Sequence, residues 1–84
     1  KLAPAEKPMT GAKLEDAAKP SRVVDYALEG VHEAAIYDLE RMEPGMALVG
    51  PAIIEDAGTT VVVHPGDRAE MDRWGNIRIS IKDG

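Results

Sequence analysis

From Ser21 onward the β-branched residues of this chain fall in short runs, and each run is cut off by Gly or Pro: Gly30, Pro44-Gly45, Gly50-Pro51, Gly58, Pro65-Gly66 and Gly75. That texture belongs to strands joined by tight turns. A first strand is expected near Arg22–Ala27 and a second near Glu33–Tyr37. With a turn at Gly30 inside Leu28–His32, the two pair as a hairpin. Asp38 is placed to cap one helical turn over residues 39–42, presenting Leu39 and Met42 to the core. Pro44-Gly45 sets a fixed φ before a residue free to take positive φ, as a type II turn requires.

Pro51 opens the run Ala52-Ile53-Ile54-Glu55, where no ladder donor is lost. The most β-prone run, Thr59–Val63, is expected to be a central strand. After Pro65-Gly66, Ala69 and Met71 alternate with Arg68, Glu70 and Asp72. Ile77, Ile79 and Ile81 alternate with Arg78, Ser80 and Lys82, so each strand has one buried and one wet face. Gly75 suits the left-handed position in the loop between them, and the simple register makes Glu70 and Arg78 cross-strand neighbours. The expected fold is mainly β: a small antiparallel sandwich or barrel-like sheet of five to six short strands, with at most a short helical turn.

Residues 1–20 read differently. Pro4, Pro8 and Pro20 interrupt them, and Leu2, Met9 and Leu14 provide no continuous apolar face, so they read as a linker, extended or partly helical over Gly11–Ala18. Residues 21–84 form the β-rich domain. At 84 residues the core must be small, and with no Phe and only Trp74, Tyr26 and Tyr37 as aromatics it is built from Val, Ile, Leu, Met and Ala.

Charge and composition exclude several classes of function. Ten basic against fifteen acidic residues give a formal charge of −5, and an acidic surface repels a phosphate backbone, so nucleic acid is not an expected partner. The absence of cysteine excludes disulfides, zinc–thiolate sites and iron–sulfur clusters and fits a reducing cytoplasmic setting. No apolar run approaches the roughly 20 residues that span a bilayer. A chain that opens at Lys1 without Met reads as a fragment.

The search for chemistry assigns no catalytic, cofactor-binding or metal-binding residue. His32 and His64 are the only histidines, each expected in a surface turn, and the acids are too scattered to complete a metal site. Ser21, Ser80, Thr10, Thr59 and Thr60 lack a nucleophile signature. Glu55-Asp56 and Glu15-Asp16 are neighbours, and neighbours on a strand point to opposite faces. No phosphate-binding glycine loop is present, and Gly58-Thr59-Thr60 does not make one. The last hairpin tip carries Arg73-Trp74-Gly75 in place of a carrier lysine. A minimal enzyme using His64 with Asp67 or Glu55 is the residual catalytic reading. Trp74 is either an interface anchor or a lid over the small core.

In order and spacing, Arg22-Val23-Val24, Ala35-Ile36-Tyr37-Asp38, Met42-Glu43-Pro44-Gly45, Gly50-Pro51-Ala52-Ile53-Ile54-Glu55, Thr59–Gly66 and Asp72–Ile77 resemble the C-terminal region of the hydantoinase A and oxoprolinase family. The family includes N-methylhydantoinase large subunits, oxoprolinase and subunits of acetone and acetophenone carboxylases. The resemblance covers residues 21–81. It implies a structural module at the end of a large subunit, with Pro44, Gly45, Gly50, Pro51, Pro65, Gly66 and Gly75 matching the family's turns and Ile53, Ile54, Val61 and Val63 its strand core. One departure is Leu39, which stands after Tyr37-Asp38 where such sequences often carry Arg.

By the same resemblance the parent enzyme uses ATP and a divalent metal, bound upstream, to activate a carbonyl or enol oxygen. It then opens a cyclic amide or carboxylates a ketone. The partners so implied are the remainder of the large subunit and a hydantoinase B-type subunit. The competing reading is a free-standing β-rich protein-interaction module.

Overall fold

The computed structural model describes residues 5–82. Leu2 and Pro4, part of the stretch read as a linker, lie outside the described residues. Seven strands follow one another: β1 (Ala18–Asp25), β2 (Val31–Asp38), β3 (Ala47–Val49), β4 (Ala52–Glu55), β5 (Thr60–Val63), β6 (Arg68–Met71) and β7 (Ile77–Ser80). The only helical pieces among the described residues are single 3₁₀ turns at Leu14–Ala17, Ala27–Glu29 and Leu39–Arg41. The fold is mainly β, as expected. It is two sheets and not a closed barrel: one of four strands in the order β1-β2-β4-β5, the other of three in the order β3-β6-β7.

The count exceeds the expected five to six because of β3, whose three residues Ala47, Leu48 and Val49 are too few to display a period of two. A second difference is that β2 and β4 run parallel, Ile36 facing Ile53 and Tyr37 facing Ile54. Parallel neighbours need a long crossover. Residues 39–51 supply it by passing through the other sheet as β3. A third correction concerns Thr59–Val63, which is not central: β5 is an edge strand paired only with β4. Its β-branched residues reflect a fit to a half-buried pleated surface, which an edge offers as well as a centre.

β1 starts at Ala18, before the expected Arg22, and runs through Pro20. The strand tolerates this proline because it is an edge strand whose register slips between Lys19 and Arg22, freeing Pro20 and Ser21 from the ladder. The β1–β2 pair is the expected antiparallel hairpin, with Gly30 at φ 89° in its turn. Ahead of it, Leu14–Ala17 is closed by Lys13 N–H donating to the Asp16 carboxylate at 2.8 Å, and Ala17 is fully buried.

Between the sheets lies the main core: Ala17, Met42, Met46, Leu48, Ala52, Ile54, Val63, Ala69 and Met71, with Leu14, Ala35, Tyr37, Leu39, Val61 and Ile77 packed at its margin. Asp38 does cap the turn after β2, its carboxylate accepting from Glu40 N–H at 3.0 Å, and so delivers Met42 into this core. A second cluster sits on the far face of the four-stranded sheet, where Ala34, Ile36 and Ile53 are covered by Tyr26, with Val24 alongside.

Candidate functional site

Tyr26 follows β1 directly and closes the second cluster. Its ring meets His32 edge-on at 5.9 Å between centroids and His64 at 5.4 Å, so the two histidines flank it. His64 stands after β5, at the opposite edge of the sheet from β1. Tyr26 reaches it across the Ala34, Ile36 and Ile53 face. At the other end of that face Arg22 and Lys19 of β1 pair with Glu55 of β4 at 2.7 and 2.9 Å. Burial raises the pKa of the Tyr26 phenol above its ordinary value, and the Glu29 carboxylate nearby adds to the effect.

Glu29 ties the cluster together. Its carboxylate meets His64 Nδ1 at 2.5 Å and its carbonyl meets His32 Nε2 at 2.7 Å. His32 sits on β2, not in the expected turn, and both rings contact Glu29. His64 does not pair with Asp67 or Glu55. Asp67 is buried and accepts Lys82 N–H at 2.7 Å, while Glu55 is held by Lys19 and Arg22. Among the described residues no group of three or more His, Asp or Glu converges to hold a metal ion. No sequence signal pointed to the Glu29–His64 contact, since the partners are 35 positions apart and meet only in the folded chain.

The turn that carries Glu29 projects a different kind of surface. Ala27 holds φ 58°, left-handed backbone that costs a non-glycine residue about 1–2 kcal/mol. The turn is nevertheless tightly fixed: Asp25 Oδ1 accepts Ala27 N–H at 2.8 Å, and Tyr26 N–H donates to the Gly30 carbonyl at 2.8 Å. Leu28 at its tip is 104% exposed. Val23 and Val31 share the face of the hairpin that also carries Ala35, and they lie beyond the reach of the second sheet at 73% and 63% exposure.

Trp74 is 40% exposed, with the Arg73 guanidinium 4.8 Å from its ring centroid. Asp72 organises that loop, one carboxylate oxygen accepting from Trp74 N–H and Asn76 N–H at 2.9 Å each, and these bonds hold its pKa below the ordinary value. Glu70 and Arg78 do face each other across β6 and β7, but Glu70 pairs with Arg68 and Arg78 reaches Asp72.

The turn residues fall at the junctions between elements. Gly45 (φ 91°) follows Pro44 in a turn closed by Met46 N–H on the Glu43 carbonyl at 3.0 Å. Gly50 and Pro51, joined by a cis peptide bond, carry the chain from β3 to β4, and Pro65 and Gly66 carry it back from β5 to β6. These two crossovers touch: Gly50 bridges Pro65, and Gly50 N–H donates to the Asp67 carbonyl at 2.9 Å. Gly75 (φ 86°) lies in the β6–β7 loop, which Lys7 N–H joins through the Arg73 carbonyl at 2.8 Å.

Comparison with known proteins places this architecture. Residues 3–80 match the family model described as the hydantoinase/oxoprolinase C-terminal domain. The chain belongs to that family. Its fold is that of part of a solved acetone carboxylase, the nucleotide-free structure from work on ATP-dependent acetone carboxylation, with TM-score 0.77 and 29% identity over 89% of this chain and 11% of that one. Among curated relatives, an uncharacterized protein of Methanocaldococcus jannaschii, MJ0964, is 37% identical over 54 residues, 64% of this chain and 8% of that protein. The 5-oxoprolinase 1 of Arabidopsis thaliana is 36% identical over 53 residues, 63% of this chain and 4% of that protein. The chain thus spans less than a tenth of the length of these two relatives. Among the described residues no helix is long and apolar enough to cross a membrane.

Proposed function

We propose that this hydantoinase/oxoprolinase C-terminal domain is a non-catalytic structural and subunit-contact module of a larger cytoplasmic enzyme. The parent is an ATP-dependent amidohydrolase that opens cyclic amides, or a related ATP-dependent ketone carboxylase. The family match over residues 3–80, beside relatives many times longer, carries this reading. The side chains support it: the two histidines and Glu29 brace a turn, Glu55 and Asp72 serve ion pairs and a loop, and no buried side-chain polar atom among the described residues lacks a partner.

ATP and a divalent metal belong, in this proposal, to the remainder of the parent chain. Among the described residues no group of three or more His, Asp or Glu converges to hold a metal ion, and no step is drawn through either group here. The partners are the rest of the large subunit and a hydantoinase B-type subunit. The test compares the 84-residue chain with its full-length parent in ATP-dependent hydrolysis of 5-oxoproline and hydantoins and in acetone carboxylation. Turnover and ATP binding are expected in the parent alone, and either one in the isolated chain would overturn the assignment.

A further inference from the structure

We propose that the tip of the β1–β2 hairpin, Leu28 together with Val23 and Val31, is the surface by which this domain docks onto an apolar surface of the remainder of its own parent subunit. The inference deepens the contact role proposed above and rests on it. Three observations lead here. Leu28 is wholly exposed and Val23 and Val31 largely so, which puts three exposed branched apolar side chains on one hairpin. The turn bearing Leu28 is not slack: Ala27 is held in left-handed backbone, and Tyr26, His32, His64 and the Asp25 carboxylate fix the residues on either side. Strain kept in place by surrounding contacts, with an apolar side chain presented to water, is the arrangement of a preorganised anchor.

The occupant follows from length. The match covers 11% of the acetone carboxylase chain whose fold this chain shares and 4% of the plant oxoprolinase, so such a domain has far more of its own subunit to pack against than any second copy offers. Acids are interspersed with these side chains, Glu33 directly across from Val23 and Asp25 directly across from Val31, with Glu29 in the turn, and they add cationic neighbours to the expected complementary surface.

The experiment measures hydrogen exchange over residues 27–31 in the full-length parent and in the 84-residue chain, with Leu28→Gln and Val31→Thr introduced together in both. These changes keep side-chain length and β-branching, and unchanged thermal unfolding of the short chain checks that the fold survives them. Expected are strong protection of this segment in the parent only, and exchange about tenfold faster there in the variant, the scale of losing one or two buried aliphatic side chains. Val49→Thr, on the outer face of the three-stranded sheet, is expected to leave exchange unchanged. If residues 27–31 exchange alike in both proteins while Trp74 or Ile81 becomes protected in the parent, the contact role stands and this location is wrong. If none of the three surfaces gains protection, the contact role itself falls. Dimers of the short chain that dissociate on Leu28→Gln would make a second copy the occupant and overturn the proposal.

Discussion

The crossing of the two inter-sheet connections at Gly50 permits a quantitative test of what glycine does in this fold. A Cβ built on Gly50 would meet the His64 carbonyl oxygen at an impossible separation and the Val63 oxygen at 2.6 Å, and both are backbone atoms that cannot swing aside. Relieving the clash means separating the strands' ends, which strains the Gly50 N–H bond to Asp67 and the Gly66 N–H bond to Gly50. Overpacking costs about 1–3 kcal/mol, and two loosened hydrogen bonds add about 0.5–1.5 kcal/mol each, so Gly50→Ala should cost about 2–6 kcal/mol. In a domain of this size that lowers Tm by about 10–50 °C. Gly45 and Gly58 separate the contributions. Gly45 has open space but φ 91°, so Gly45→Ala carries only the left-handed penalty of about 1–2 kcal/mol. Gly58 has open space and no such φ, so Gly58→Ala should be neutral or stabilising by up to about 1 kcal/mol. Thermal and urea unfolding of the three variants give the order. A Gly50→Ala chain as stable as Gly58→Ala would refute the close approach of the crossovers.

Tyr26→Ala opens a hole over Ala34, Ile36 and Ile53 and should cost about 3–5 kcal/mol in urea unfolding, whereas Tyr26→Phe should stay within about 1 kcal/mol because the phenol's bond to the Ala52 carbonyl is long, 3.4 Å. Acid should destabilise the domain. The Glu43 carboxyl is held below its ordinary pKa by Thr10 side-chain and backbone donors, that of Glu55 by Lys19 and Arg22, and that of Asp72 by Asn76 and Trp74 N–H groups. Groups shifted down bind fewer protons folded than unfolded, so their contribution is complete above the ordinary carboxylate range, about pH 4, and is lost as pH falls through the folded values. Denaturation midpoints at pH 7 and pH 3 measure it, and Thr10→Val should shrink the difference. His64→Ala should leave turnover of the full-length parent unchanged while loosening the Leu28 turn, read by steady-state kinetics and hydrogen exchange. A loss of turnover with substrate binding intact would restore a chemical role for the cluster.

The local rules of the fold were legible in the residues. Asp38 before a polar turn, Pro44-Gly45 and the Ala69-Met71 alternation each acted as written, because capping, turn geometry and pleating depend only on near neighbours. The Ile77-Ile79-Ile81 alternation did not: β7 ends at Ser80, and Ile79 and Ile81 are 38% and 74% exposed, because the strand is the outer edge of the three-stranded sheet. What was illegible depends on distant ones. The parallel pairing of β2 with β4 needs the path of β3, a strand too short to announce itself. The edge position of β5 is invisible because edge and central strands draw on the same side chains. The Glu29–His64 contact and the burial of Asp67 follow from where the turns and crossovers meet in the folded chain, and neither leaves a mark on spacing.

The sizes of the two sheets explain why one hairpin stays exposed. A chain of this size buries only about 60–65% of its unfolded surface, and a three-stranded sheet cannot cover both faces of a four-stranded one. The inner face takes the whole of the second sheet, through Ala35, Tyr37, Ala52, Ile54 and Val63. The outer face has to be sealed from within, and Tyr26 does so by lying over Ala34, Ile36 and Ile53 and meeting His64 beyond β5. Fixing Tyr26 fixes the start of the turn that follows it. On the opposite face of the same hairpin Val23 and Val31 stay outside the core between the sheets and are exposed, as is Leu28 in the turn. A single aromatic side chain thus completes one core, while the opposite face of the hairpin that carries it is left open to whatever the parent subunit brings against it.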